Sequence, residues 1–409
     1  MRVLVDQPAY ELLNIGDIAM LQSCVLRLRQ QWPDAEIKVV VHGLERLGIF
    51  CEDAVPIERA SGYPLLKLIP KRYQSAWHSI NPYFSYRLGR HALPPSEPQS
   101  AVQAVKWADV VVAAGGGYVT DAFWLHATGV LAVLSLAQRL GKPTAMFGQG
   151  IGPLNQRALL TQARAVLPRL KILGLREAGL SRDLALSLGV PSDVIRLSGD
   201  EALELTTAHD ALEGYALGIN MRVSGYAGVD SSVAAVIGNL LLETADDLQA
   251  PLVALPVCRG AAGEDLSVIR ALFGNSNSHG RVILNDIITP SEFINVSASC
   301  RTIVTGSYHA ALFGLAQGVP AVGLTKSSYY DAKFAGLREL FPSACQVVSL
   351  AEPNYADRLR DAITNAWSLP HSARVAAIRS AASQRSAGRD VYAQFHEFTE
   401  IAKWADAEV

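Results

Sequence analysis

RTIVTGSYHAALFGLAQGVPAVGLT, residues 301–325, runs an apolar strand, an apolar helix and a second apolar strand together without interruption. Ile303 and Val304 lead into Thr305-Gly306-Ser307, Ala310 to Ala316 has helical length, and Gly318-Val319-Pro320 turns into Ala321–Leu324. Strand, helix and strand joined by short turns make a βα unit, the building block of parallel sheets. The single imidazole, His309, stands where strand gives way to helix. A helix start offers unpaired N–H groups and the positive end of the dipole. His309 is therefore either a structural capping residue or a group placed beside a bound anion, and these residues alone leave both readings open.

The same alternation extends in both directions. Before it lie the apolar runs RVLVD, EIKVVVHG, DVVVAAGGG, PTAMFGQG, KILGLRE and DVIRLSGD, separated by stretches of helical length such as DIAMLQSCVLRLRQQW and GVLAVLSLAQRLG. A polar bridge, EALELTTAHDALEG, precedes a second series: YALGINMR, APLVALPVCRG, RVILNDII, RTIVTGS, PAVGLT and CQVVSL. Two sets of βα units predict an α/β protein of two Rossmann-like domains whose parallel sheets face each other across a cleft. The expected domains are residues 1–205 and 206–409, with helices from His371 onward packing back on the first. A Pro-rich and aromatic stretch, 62–98, reads as an insertion or long loop, with PYFSYRLGRHALPP a candidate acceptor-side lid.

Composition agrees and narrows the class. A chain of 409 residues exceeds one ordinary core, and 50% hydrophobic with 18% charged residues is a globular profile. The formal net charge of −2 argues against non-specific binding to nucleic acid. Five scattered cysteines form no CxxC pair, so a reducing compartment and no metal site are expected. The N-terminal apolar run is interrupted at once by polar residues and reads as neither signal nor membrane span. The expectation is a cytoplasmic enzyme.

Several motifs fall at strand ends, where ligands of such sheets bind. YELLNIGDIAML opens the first helix, with Asn14 and Asp17 as side-chain oxygens and Gly16 permitting close approach. DVVVAAGGGYVTD ends a strand in Gly115, Gly116 and Gly117, followed by Asp121. MFGQGIGPL follows with Gln149 between Gly148 and Gly150. Two glycine-rich strand ends in one domain suggest two open backbone surfaces forming a ligand wall. Neither matches G-x-G-x-x-G or the Walker lysine, so nicotinamide and P-loop readings fail. In the second half, Arg222 ends a strand and, with Ser307 and His309 at a helix start, composes a site for phosphate or carboxylate. TKSSYYDAKFAGL adds Lys326, Tyr330, Asp331 and Lys333 beyond the next strand.

The order of these motifs resembles the polysaccharide pyruvyltransferase family. N-x-G-D near residue 14, a strand ending in GGG, G-x-G-x-G-P, LREAGLSRDLALSLGV with LSGD, a strand ending in arginine, and a helix-start histidine with GVP and YDAK follow one another from Asn14 to Lys333. The resemblance implies a GT-B-like fold and transfer of a pyruvyl group from phosphoenolpyruvate to a sugar of an exopolysaccharide or glycolipid precursor, forming a ketal, with no cofactor. It implies that His309 is the proton donor to the methylene or a phosphate ligand and that Arg222 holds the donor's negative groups; such chemistry also needs a base for the acceptor hydroxyl, and Asp17 is the expected one. Ser307 and Tyr308 would complete the donor site, with Lys326 or Arg259 expected to replace the arginine that the family carries there and this chain lacks. Asn14, Asp17, Gly115, Gly116, Gly117 and Gln149 would fall on the first-domain wall, with Asp121 beside them, and face the acceptor, a sugar or lipid-linked saccharide reached by peripheral membrane association. This chain reads Ser307-Tyr308-His309 where the family usually reads Arg-Leu-His. That departure keeps open a glycosyltransferase using a nucleotide-sugar, and a catalytically silent sugar-binding homologue.

Overall fold

The computed structural model describes residues 1–42, 44–58, 99–206, 214–223, 228–260, 264–273 and 282–407. The stretch 62–98, with its expected lid, lies outside them. The chain divides into two compact units: Met1–Leu12, Met20–Glu201 and Ala387–Val409 form the first, Leu13–Ala19 and Ala202–Ser386 the second. Residues 13–19, counted by sequence with the first domain, thus group with the second.

The first unit is built on β1 (Arg2–Asp6), β2 (Glu36–Val41), β3 (Val55–Glu58), β4 (Val110–Ala113), β5 (Gly116–Val119), β6 (Thr144–Ile151), β7 (Ile172–Leu175) and β8 (Ile195–Leu197). Their order is β3-β2-β1-β4-β6-β7-β8, with β5 also pairing β6 and every pairing parallel. All eight residues of β6 are buried, which is why the central strands read as continuous apolar runs. Leu131, Leu134, Leu159, Leu167 and Leu173 fill the helix–sheet layer with at most 1% exposure. Each such side chain contributes about 1.5–3 kcal/mol of burial. The last helix, His371–Ala407, delivers Tyr392 to this unit, stacked on Phe147 at 3.8 Å.

The second unit holds β9 (Ala216–Asn220), β10 (Leu252–Ala254), β11 (Val282–Ile283), β12 (Cys300–Thr305), β13 (Ala321–Thr325) and β14 (Cys345–Ser349), again all parallel, in the order β11-β10-β9-β12-β13-β14. Helix starts are capped from the sequence: Asp230 accepts from the N–H groups of Ser232 and Val233, and Thr289 with Glu292 closes a capping box. The strand order reverses between β9 and β12, so their carboxyl ends define the switch point where sheets of this kind open a ligand crevice.

Two local features differ from the sequence reading. The triple glycine does not end as a loop, because Gly116 and Gly117 belong to β5. The second glycine-rich motif is likewise strand: β6 continues to Ile151 and bulges, its register against β7 shifting between Met146 and Gln149, with Gly148 at φ +56°.

Candidate functional site

The switch point of the second sheet gathers most of the second-half residues singled out by sequence. Thr305 and Asn220 are register partners, and the Thr305 hydroxyl lies 3.1 Å from the Asn220 Oδ1. The same Thr305 oxygen accepts from the Ser307 N–H at 2.8 Å and so shapes the turn into the helix Tyr308–Ala316. Every residue of that helix is buried, His309 at 6% exposure. Arg222, Gly306, Leu324, Tyr330 and Leu350 line a pocket at these strand ends.

Arg222 does not stand alone. Its Nε and Nη2 reach the two oxygens of Asp265 at 3.0 and 3.1 Å, a bidentate pair that is 7% and 0% exposed. Asp265 also accepts from the Asn220 amide at 2.8 Å and from the N–H groups of Val257 and Cys258, both at 2.9 Å. One carboxylate therefore holds the end of β9 and the chain beyond β10. The sequence reading missed it; the only hint was an acidic residue soon after CRG.

That clamp reaches the N-x-G-D motif. Ile15 donates to the Val257 carbonyl and Arg259 to the Leu13 carbonyl, each at 2.9 Å, while Asn14 and Cys258 form an antiparallel bridge. Asn14 Oδ1 accepts from Gly16 N and Asp17 N at 3.0 and 3.3 Å and caps the helix Ile15–Gln31. Gly16 lies against His309 so closely that a Cβ there would stand 2.0 Å from Nδ1 and 2.6 Å from the His309 Cβ. Asn14 and Asp17, expected on the first-domain wall, are thus in the same unit as His309, with two helix starts meeting at one imidazole.

The two cations expected to replace the missing arginine are engaged elsewhere. Arg259 donates to Asp286 at 2.7 Å and to the Ile287 carbonyl at 2.8 Å. Lys326 lies 3.8 Å from Asp230. Tyr308 is 3% exposed, its ring edge-on to His309 with centroids 5.3 Å apart.

In the first unit the expectation of open glycine surfaces is corrected. The space at Gly115 and Gly148 is filled by Glu201, whose atoms lie 2.8 and 2.7 Å from where a Cβ would be. At Gly150 the Arg176 guanidinium takes it, and at Gly116 the Tyr118 ring. Glu201 accepts from the Gly115 N–H and the Tyr392 hydroxyl. Burial pushes its carboxyl up to about 7 despite Arg27, the Tyr392 hydroxyl and the Gly115 N–H, which favour the charged form. Gln149 is wholly buried, donating to the Ala114 and Phe147 carbonyls at 2.8 and 2.9 Å. Asp121 accepts from Asn155 and Gln156 N–H groups ahead of the helix Arg157–Val166. These side chains hold their own loops.

All five cysteines are unbridged. Burial pushes the thiols of Cys51, Cys300 and Cys345 up to about 12, so none is poised as a thiolate. Among the described residues no group of three His, Cys, Asp or Glu is arranged to hold a metal ion, and no helix is long and apolar enough to cross a membrane.

Two parallel-sheet α/β units with the site at strand carboxyl ends define a protein of the GT-B fold. Solved structures share it: a UDP-GlcNAc 2-epimerase from Neisseria meningitidis bound to UDP-GlcNAc (14% identity, 96% of this chain and 98% of that one, TM-score 0.60), a UDP-glucose:anthocyanidin 3-O-glucosyltransferase (11%, 98% of each, 0.61), and a UDP-N-acetylglucosamine 2-epimerase assignment from Listeria monocytogenes (12%, 91% and 90%, 0.57). At such identities the likeness is one of fold. No curated protein is significantly similar to the chain in sequence. The family model for polysaccharide pyruvyl transferase matches residues 14–328, and the chain belongs to that family.

Proposed function

We propose that the protein transfers the pyruvyl group of phosphoenolpyruvate to two hydroxyls of a sugar, forming a pyruvate ketal. The observation that carries the reading is the meeting of the Asn14-Ile15-Gly16-Asp17 helix start with His309 in one unit, in a chain of this family. In this reading the donor's anionic groups are held at the β9 and β12 ends, where Arg222 and Gly306 line a pocket beside the start of the helix Tyr308–Ala316.

His309 protonates the methylene carbon, making C2 electrophilic, and Asp17 takes a proton from the first attacking hydroxyl. Two C–O bonds form at C2 and the C2–O bond to phosphate breaks. Of the two hydroxyl protons released, one replaces that spent on the methyl group and the other leaves on inorganic phosphate. Backbone N–H groups at the helix starts stabilise negative charge building on the departing phosphate. The acceptor is a saccharide of a polysaccharide or glycolipid precursor, free or lipid-linked, used in the cytoplasm without a cofactor.

Calorimetric titration with phosphoenolpyruvate and with a panel of nucleotide-sugars tests the donor, and phosphate release with oligosaccharide acceptors tests the reaction. Binding of phosphoenolpyruvate with His309→Gln retaining donor but losing turnover supports the assignment. A nucleotide-sugar bound in its place turns the reading toward glycosyl transfer, the alternative kept open by Ser307.

A further inference from the structure

A chain of buried polar groups runs from the end of β9 to the turn into the helix Tyr308–Ala316, and Asp265, Asn220 and Thr305, which compose it, have no part in the chemistry above. Asp265 is wholly buried and, as a carboxylate, can only accept. Asn220, also 0% exposed, gives it one amide N–H at 2.8 Å and gives the other to the Leu255 carbonyl at 2.9 Å. With both N–H groups engaged, the Asn220 Oδ1 is the atom turned to Thr305, and the Thr305 hydroxyl donates to it at 3.1 Å. The Ser307 carbonyl, 3.2 Å from the same hydroxyl, already receives the Ala311 N–H. A donating hydroxyl keeps its lone pairs for the Ser307 N–H, which it accepts at 2.8 Å.

Each bond therefore takes its direction from the one before it. The charge of Asp265 orders the chain as far as Ser307, the N-cap of the helix that carries His309. The same carboxylate binds Arg222 through both of its oxygens. We propose that Thr305 is a positioning residue: through Asn220 and Asp265 it holds the His309 helix start and the Arg222 guanidinium at one fixed separation, so that a single donor molecule meets both with its two anionic groups. For phosphoenolpyruvate this rests on the function proposed above.

A carboxylate and a phosphate on a three-carbon frame leave little play, and a misplacement of about 1 Å at a reacting centre costs on the order of a hundredfold. Valine has nearly the shape of threonine without its hydroxyl. Thr305→Val thus turns a methyl group toward the Ser307 N–H and the Asn220 Oδ1 and unties the turn from the strand pair. Serine keeps the hydroxyl and the tie.

The test measures binding of phosphoenolpyruvate, inorganic phosphate and pyruvate to wild type, Thr305→Val, Thr305→Ser and Thr305→Cys, with urea unfolding of each alongside. Phosphate and pyruvate each carry one of the donor's anionic groups and need no fixed separation. Thr305→Val is expected to weaken phosphoenolpyruvate by about tenfold or more while either fragment changes by less than about threefold, and Thr305→Ser to restore phosphoenolpyruvate binding. Thr305→Cys, with its weak S–H donor, falls between and carries the same comparison if Thr305→Val does not fold. Thr244→Val is the control: it removes another buried hydroxyl, one that donates to the Leu240 carbonyl at 2.7 Å within the helix Ser231–Asp247, and leaves phosphoenolpyruvate binding unchanged. A loss of equal size for all three probes means general loosening and overturns the inference, as does a Thr305→Ser no better than Thr305→Val or a wild type that does not hold both fragments. Phosphoenolpyruvate bound equally by wild type and Thr305→Val removes the inference and leaves pyruvyl transfer standing. A wild type that does not bind phosphoenolpyruvate removes both.

Discussion

Gly16→Ala is the most direct probe of the meeting of two helix starts. A methyl group there would lie 2.0 Å from Nδ1, 2.1 Å from Cγ and 2.6 Å from Cβ of His309. Restoring an ordinary contact of about 3.5 Å requires roughly 1.5 Å of movement at the ring. Rotating the imidazole cannot suffice, because His309 Cβ itself is too close and does not move with the side-chain torsions. One helix start must therefore shift. Both are anchored: residues 13–15 pair with 257–259, and the helix Tyr308–Ala316 is buried throughout. Overpacking at such a place costs about 1–3 kcal/mol, and the double anchoring argues for the upper end. The assay is urea unfolding of Gly16→Ala, His309→Ala and the double variant. Removing the ring relieves two of the three clashes, so the double variant should be more stable than the sum of single effects by about 1–2 kcal/mol. Additivity within about 0.5 kcal/mol would refute the contact.

Gly148→Ala should destabilise the first unit by roughly 1–3 kcal/mol, since the residue holds φ +56° and the new Cβ would meet Glu201 Cγ at 2.7 Å; a native urea midpoint contradicts it. Glu201 binds its proton more tightly folded than unfolded, so its contribution is fully present below the ordinary value near 4.5 and is lost as pH rises through about 7. That predicts roughly 3 kcal/mol less stability at pH 8 than at pH 4 from this group alone, and Glu201→Gln should flatten the slope over that window. An unchanged slope in the variant assigns the titration elsewhere.

The two-sheet architecture was legible because strands buried on both faces read as apolar runs, as in β6 and β12. The switch-point cluster was half legible: Arg222, Ser307 and His309 each stood at a strand end or helix start. Their neighbours were not, because burial partners carry no local signal. Glycines show what space a backbone leaves, not what fills it, and Gly115 is filled by a carboxylate 86 residues away. Gly16 is a glycine for His309, across nearly the whole matched family span. Assigning residues 13–19 by sequence position overlooked that three residues of strand-like pairing to 257–259 suffice to tie them to the other unit. Lys326 and Arg259 were plausible cations by position, but an acidic neighbour for each was visible only in three dimensions.

Asp265 and Arg222 form one ion pair, yet their removal should not cost the same. Asp265 is wholly buried and accepts from five N–H groups: two of Arg222, one of Asn220 and the backbone amides of Val257 and Cys258. Arg222→Lys leaves the carboxylate with three of those donors and a cation nearby, so the loss is that of a bidentate geometry, about 1–2 kcal/mol. Asp265→Ala leaves a buried guanidinium without its carboxylate, about 3–5 kcal/mol, and strips two backbone amides of their acceptor at about 1–3 kcal/mol each. It also loosens 257–259, and through that pairing the Asn14 turn against which His309 rests. Asp265→Ala should therefore unfold at markedly lower urea than Arg222→Lys and lose binding of the donor proposed for this pocket. Asp265→Asn, which keeps one acceptor oxygen, should fall between them. Equal unfolding midpoints for Asp265→Ala and Arg222→Lys would mean that the carboxylate serves the arginine alone, and the coupling from β9 through 257–259 to the first helix would be lost with it.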